Sequence, residues 1–397
     1  LRQRLAEILH QLAVDIVGGR EMAQSRVPLV KPDLPALPDI ADELLTALES
    51  SKVTNFGPHV VALEEEVEAR LTVPALAVSS GTSGLVFALQ AMGVGVGDEV
   101  AMPSFTFAAT GQATLYAGAT PVFVEVGDDG LIDPDDLRQV LSTRPKVKVV
   151  VPVHTYGQPA DVDSLSELAG AGERPIGLLY DAAHAFGSEA DGRPVGSFGD
   201  AEVFSLSATK ALVSIEGGLV TSANTDFMER IRYMRNYGIA ANYETWLPGM
   251  NSKMSEFHAV VGRFNLRRID ELLETRERKA KVYFDLLAEV PDVSQIPVRE
   301  GIRHTYKDFT VRLQGTASLN RDALMKQLAE RGVETRAYFH PPLHQHRHFN
   351  RYVDRELPRT DALASSVLVI PFFTSITEDE MAYVATTLTD AIRDLGL

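Results

Sequence analysis

The sequence predicts an α/β protein: a mostly parallel sheet with helices on both faces, followed by a smaller α+β domain. Three observations lead there. Between about Leu76 and Ser222, short β-rich runs alternate with helical patterns. After about Asn265 the texture changes to one long charged helix and shorter mixed elements. A chain of 397 residues is also long enough for two cores joined by a cleft.

The opening LRQRLAEILHQLAVDIVGG sets Leu1, Leu5, Ile8, Leu9, Leu12, Ile16 and Val17 on one helical face with charges between them. That pattern predicts a docked amphipathic helix over residues 1–25, because a secretory signal would need an unbroken apolar stretch. The large domain is expected over 26–265. Its strand runs are LAVSS, DEVAMPS, TPVFVEV, KVKVVVPVH, IGLLYDAAH, AEVFSLS and GGLVTS. Such sheets carry their chemistry at the carboxyl ends of the strands, where loops converge and helix N-termini point. The small domain is expected over 266–397, with a helix RRIDELLETRERKAKVYFDLLAEV, then KDFTVRL, a helix from Arg321, ETRAYF and a terminal helix from Glu378.

Composition narrows the function. Hydrophobic residues make up 45% and charged residues 23%, the profile of a soluble globular protein. A formal charge of −16 without a basic stripe disfavours a nucleic-acid partner. No run of about 18 apolar residues predicts a membrane span, and the cytoplasm is the expected compartment. There are no cysteines, which removes disulfides, thiolate nucleophiles and zinc–cysteine sites together.

Three segments carry chemistry. In SSGTSG, Ser79 to Gly84, small residues close an apolar strand and open a helix, so backbone N–H groups and the helix dipole can receive a phosphate. Taken alone, the segment fits an ordinary capped turn equally well. Asp181 ends the strand IGLLYD, where a buried acid needs a cationic partner. A protonated pyridine nitrogen is such a partner, and stabilising it turns the ring into an electron sink. The bland alternative is a helix N-cap for AAHAF. Lys210 follows the strand AEVFSLS, where desolvation in a cleft would leave a neutral amine able to form a Schiff base, although most lysines after strands are merely solvated. Asp181 and Lys210 close successive strands of one sheet, which places both beside one crevice.

These residues resemble the sugar aminotransferases of the DegT/DnrJ/EryC1/StrS group within the fold-type-I pyridoxal-phosphate enzymes. The resemblance runs from about Val27 to the C-terminus and rests on NFGPHVVALEEEV, SSGTSG, MPSFTFAAT, VHTYGQPAD, YDAAHAFGSE, GDAEVFSLSATK, EGGLVTS, GMNSKMSE and RAYFHPPLHQH. It implies a large domain with a mostly parallel seven-stranded sheet. It also implies that Lys210 is the Schiff-base lysine of pyridoxal 5'-phosphate, that Asp181 pairs with the pyridine nitrogen, and that Phe107 stacks on the ring. Thr82, Ser83 and Ser205 fall where the family holds the phosphate. His184 stands where many relatives carry Gln, facing the phenolic oxygen. A subgroup making 4-amino-4,6-dideoxy sugars has His there. Asn251 resembles the asparagine that reaches the phosphate of a neighbouring subunit's site, implying a homodimer with shared sites. Lys253, where Arg is more common, would meet a substrate carboxylate or diphosphate as a point charge. Tyr338, His340 and His344 are expected to line the sugar side of the cleft.

The implied reaction moves an amino group from glutamate to a dTDP-4-keto-6-deoxyhexose in natural-product deoxysugar biosynthesis, with Lys210 as general base and acid. A 3-keto sugar is the alternative acceptor. A sugar dehydratase of the same fold would carry His in place of Lys210. A non-catalytic regulator would not need the Asp181–Lys210 pair. An amino-acid aminotransferase would need an arginine clamp for a second carboxylate, and Arg336 is the only late candidate. The cluster His340, His344, His346 and His348 invites a metal, but Pro341 and Pro342 break the one helical spacing in it, so none is expected. His154 and Tyr156 read as packed polar residues, and Trp246 as a loop aromatic that could cover a base or sugar ring.

Overall fold

A computed structural model describes residues 26–172, 175–315 and 320–396, so the helix expected over 1–25 lies outside the described residues. Helices α1 (Leu37–Glu49) and α2 (Pro58–Leu71) lead into the sheet strands β1 (Ala75–Val78), β2 (Glu99–Pro103), β3 (Thr120–Val124), β4 (Val147–Val150) and β5 (Gly177–Asp181). A small hairpin, β6 (Glu189–Ala190) and β7 (Arg193–Pro194), precedes β8 (Ala201–Ser205) and β9 (Gly218–Thr221). The intervening helices are α3 (Gly81–Ala91), α4 (Ala108–Tyr116), α5 (Pro134–Thr143), α6 (Val162–Gly170) and, after β9, α7 (Thr225–Met234) and α8 (Glu256–Arg267).

The seven strands lie in the order β1-β9-β8-β5-β4-β2-β3. Those from β8 to β3 pair in parallel, and β9 runs antiparallel to both β8 and β1. Both faces are covered, which explains why these strands are mostly apolar, with charged side chains only at Glu99, Lys148, Asp181 and Glu202. The period-2 pleat still sorts them: Ala75, Ala77, Ala101, Val122 and Leu178 face a core shared with α2, α5 and α6. Leu76, Val78, Met102, Phe123 and Leu179 face the opposite core, shared with α3 and α7.

The C-terminal unit is built on α9 (Ile269–Leu287), whose first residue follows α8 after Arg268 alone. Its antiparallel sheet orders β10 (Val293–Gln295), β12 (Phe309–Leu313) and β13 (Val367–Ile370), while β11 (Ile302–Arg303) pairs with β6 instead. Helices α10 (Arg321–Glu330), α11 (Pro358–Ser366) and α12 (Glu378–Asp394) complete it. Thr377 and Glu380 cap α12 reciprocally, each side chain meeting the other's backbone N–H. Val27 joins the core of this unit through a parallel bridge to Val333. ETRAYF forms no strand; Arg336 makes one bridge to Val369, because VLVI at 367–370 takes the sheet position beside β12. Among the described residues, no helix is long and apolar enough to cross a membrane.

Candidate active site

The carboxyl ends of β5 and β8 and the N-terminus of α3 open on a cavity of 430 Å3. Its other wall comes from the C-terminal unit, through Lys307, Asp308, Tyr338 and Phe339.

Asp181 is the last residue of β5 and is 4% exposed. Its Oδ2 accepts the hydroxyl of Thr110 from α4 at 2.8 Å, and its Oδ1 accepts the Ala183 N–H at 3.2 Å. Burial raises its pKa above the ordinary carboxylate range, against those two donors and the nearby Lys210 cation. Lys210 closes the turn after β8, its N–H bonded to the Ser207 carbonyl at 3.0 Å. Desolvation lowers its pKa to about 8, Lys307 pushes the same way, and Asp308, Asp181 and Glu216 oppose. About a tenth of the amine is therefore neutral at pH 7, far more than for an ordinary lysine.

His184 also lines the cavity. Its Nδ1 accepts the Tyr156 N–H at 3.2 Å, which assigns the proton of the neutral ring to Nε2. Burial holds the ring well below the usual histidine pKa, and Lys210 and Lys307 add to the effect. The ring stacks on Phe339 with centroids 6.3 Å apart.

At the α3 end, Ser80 caps the helix by accepting the Ser83 N–H at 3.1 Å. A Cβ on Gly218 would lie 2.6 Å from the Gly81 nitrogen, so only glycine lets β9 pass this close to the helix start. Gly81, Thr82 and Ser205 line the cavity together. Ser83 does not; its hydroxyl donates to the Ser80 carbonyl at 2.9 Å and accepts from Ser252 at 2.6 Å. Phe107 stands at the mouth, 62% exposed.

The residues fit pyridoxal phosphate at three points. A helix N-terminus with small residues suits an anion. A buried carboxylate whose hydrogen-bond partners are a hydroxyl and an amide suits a pyridinium nitrogen. A desolvated lysine suits an aldehyde.

Other expected site residues fall elsewhere. His340 is exposed and away from the cavity lining. His344 is 7% exposed, its Nδ1 2.6 Å from Ser104 Oγ and its Nε2 3.2 Å from Asp361, so it joins α11 to the end of β2 rather than lining the cleft. His346 Nε2 lies 3.0 Å from the Pro341 carbonyl and His348 pairs with Arg351, so the four histidines do not converge. Asn251 is exposed and bridges Asn236, and Lys253 Nζ donates to Asn236 Oδ1 at 3.0 Å; neither lines the cavity of its own chain. Arg336 pairs with Glu334 at 2.8 Å, and among the described residues no arginine lines the cavity. His154 is fully buried, with Nδ1 accepting the Ala160 N–H at 2.9 Å and the ring stacked on Tyr180. Trp246 is exposed and leans on Tyr233.

Sequence reasoning missed Lys307, Asp308 and Thr106, all of which line the cavity. The only local signal was a charged pair opening the strand KDFTVRL.

A doubly covered sheet with Asp181, His184 and Lys210 converging beside a helix N-terminus defines a pyridoxal-phosphate-dependent transaminase. The chain belongs to the DegT/DnrJ/EryC1/StrS aminotransferase family, whose profile matches residues 37–389. It is similar to a UDP-N-acetyl-3-dehydro-alpha-D-glucosamine 3-aminotransferase of Acidithiobacillus ferrooxidans, 33% identical over 88% of this chain and 94% of that one. It is also 33% identical to a GDP-perosamine synthase of Caulobacter vibrioides, over 86% and 92% of the two chains. Among solved structures, DesI in the presence of its TDP-sugar product superposes with a TM-score of 0.87 at 34% identity, over 96% of this chain and 97% of that one. The chain is thus a sugar-nucleotide aminotransferase.

Proposed function

We propose that the protein converts a dTDP-4-keto-6-deoxyhexose to the 4-amino-4,6-dideoxy sugar, with glutamate as amino donor. The observation that carries the nucleotide-sugar assignment is the likeness to DesI, whose structure was determined with a TDP-sugar product.

Bound pyridoxal phosphate supplies the electron sink for the reaction. Lys210 Nζ, neutral in part near pH 8, would shuttle the proton between the substrate carbon and the cofactor C4′ in both halves of the reaction. Asp181 holds a carboxylate where a ring nitrogen needs its proton kept. His184 presents Nε2–H as a fixed donor. Gly81, Thr82 and Ser205 would hold the phosphate at the start of α3, and Phe107 would cover the ring.

The working unit of this proposal is a homodimer in which Asn251 and Lys253 complete the partner's site, with the cytoplasm as its compartment. The exposure of Leu37, Leu45 and Leu48 on α1, of Phe257 on α8 and of Met250 beside Asn251 supports a covered face there.

The relative acting on a 3-dehydro sugar supports amination at C3 as a second reading. One experiment separates them. Purified protein with pyridoxal phosphate and glutamate is given the 3-keto and the 4-keto forms of a dTDP-6-deoxyhexose in separate reactions. NMR of the product is expected to place nitrogen on C4; nitrogen on C3 selects the second reading, and no amine from either overturns both.

A further inference from the structure

Two lysines share this cavity, and the reaction uses only one of them. Lys307 is 8% exposed and lines the same wall-to-wall space as Lys210. Its Nζ donates to Asp308 Oδ1 at 2.7 Å, and Asp308 is also 8% exposed. Burying an ammonium and a carboxylate side by side is expensive, so their retention calls for a reason beyond packing.

The backbone that carries them is fixed from several sides. Arg276, itself 5% exposed, donates to the carbonyls of Thr305 at 3.0 Å and Lys307 at 3.1 Å, and also to that of Tyr306. The Lys307 N–H donates to the Tyr156 carbonyl at 3.0 Å, and the Thr305 hydroxyl donates to the His184 carbonyl at 2.9 Å. A segment from the C-terminal unit is thereby stitched to the loops after β4 and β5, with its lysine inside the cavity.

We propose that Lys307, ion-paired with Asp308, is a positioning residue that makes the Lys210 ammonium easier to deprotonate. Two cations lining one cavity repel, and the cost falls on the one that has no carboxylate partner at hydrogen-bond distance. Asp308 gives Lys307 that partner, and no carboxylate stands within ion-pair distance of Lys210 among the described residues. Asp308 itself opposes Lys307 at Lys210, though less strongly, Asp181 and Glu216 oppose it more weakly still, and His184 and Tyr338 are the remaining titratable groups around the cavity. The charge on Lys307 thus adds to burial in easing the proton off Lys210. This inference rests on Lys210 being the cofactor lysine, which borohydride reduction of the holoenzyme tests separately.

The test is the pH dependence of Lys210 reactivity in the cofactor-free protein, read by competitive acetylation and mass spectrometry. In Lys307→Met the reactivity midpoint of Lys210 is expected to rise, making the amine roughly tenfold less reactive at pH 7 and equal to wild type well above pH 10. Lys307→Arg keeps the charge and is expected to restore the wild-type midpoint. If Lys307→Met folds poorly, Lys307→Gln removes the same charge while still able to donate to Asp308. Superposable profiles for the charge-removing variant and wild type, or an equal rise in Lys307→Arg, overturn the proposal. A failed borohydride adduct at Lys210 with the midpoint shift intact would instead count against the cofactor reading alone.

Discussion

Thr110 donates its hydroxyl to Asp181 at 2.8 Å, from the first turn of α4 to the last residue of β5. After burial, this bond is the largest influence on the Asp181 proton, and it acts to keep the carboxylate charged. Thr110→Val removes it and leaves Asp181 easier to protonate. The acidic limb of the kcat/KM profile is expected to move to higher pH, and pyridoxal phosphate to bind about tenfold more weakly. Thr110→Ser should restore both. Absorbance titration and a pH–rate series check this, and an unmoved acidic limb would mean that Asp181 is not the titrating acid.

Lys210 destabilises the fold that holds it. Its pKa in the folded protein is about 8, below the ordinary 10.5. The unfolded chain therefore binds more protons between those values, and stability of the cofactor-free protein rises with pH across that window. Below pH 8 the full cost is present. Lys210→Met is expected to stabilise the cofactor-free protein by roughly 2–3 kcal/mol at pH 7, with the gain vanishing toward pH 10.5. Urea unfolding at pH 7 and pH 10 measures it. The same variant should lose transamination by about 10²–10⁴-fold, so stability and activity move in opposite directions.

Much of this was legible in the chain because the signals were local. The seven strand runs are mostly apolar over four or five residues, and the motifs around Asp181 and Lys210 sit at strand ends or in the loops directly after them. What the sequence did not reveal depends on distant pairing. The antiparallel β9 is set by contact with β1, which lies about 140 residues earlier in the chain, and no property of GLVT fixes strand direction. Lys307 and Asp308 reach the cavity only because Arg276 and Tyr156 hold their backbone there. The family resemblance set His344 at the cleft, but its partner Ser104 lies 240 positions away.

That relocation makes a prediction of its own. His344 meets Ser104 at 2.6 Å through Nδ1, its N–H donates to the same hydroxyl at 3.0 Å, and Asp361 lies beyond its Nε2. Ser104 is fully buried, so removing its partner leaves a hydroxyl without its side-chain bond. Ser104→Ala and His344→Ala are each expected to cost about 1–3 kcal/mol of stability. The double variant should cost less than their sum, because both remove one interaction. KM for the sugar nucleotide should stay unchanged. A large rise in KM at full stability would return His344 to the substrate side.

The start of α3 offers the sharpest steric test. A Cβ at Gly218 would sit 2.6 Å from the Gly81 nitrogen and from the Ser80 carbonyl carbon, and both are backbone atoms that no rotamer change can move. Gly218→Ala must therefore push β9 away from the turn or shift the turn itself. Overpacking of this kind costs about 1–3 kcal/mol, and here it displaces the helix end that would hold the phosphate. Pyridoxal phosphate affinity is expected to fall together with the melting temperature. Gly95→Ala is the control, because a Cβ there meets nothing within 4 Å, and it should change stability by no more than about 0.5 kcal/mol and leave affinity alone. If Gly218→Ala melts lower yet binds pyridoxal phosphate like wild type, the phosphate is held somewhere other than the start of α3.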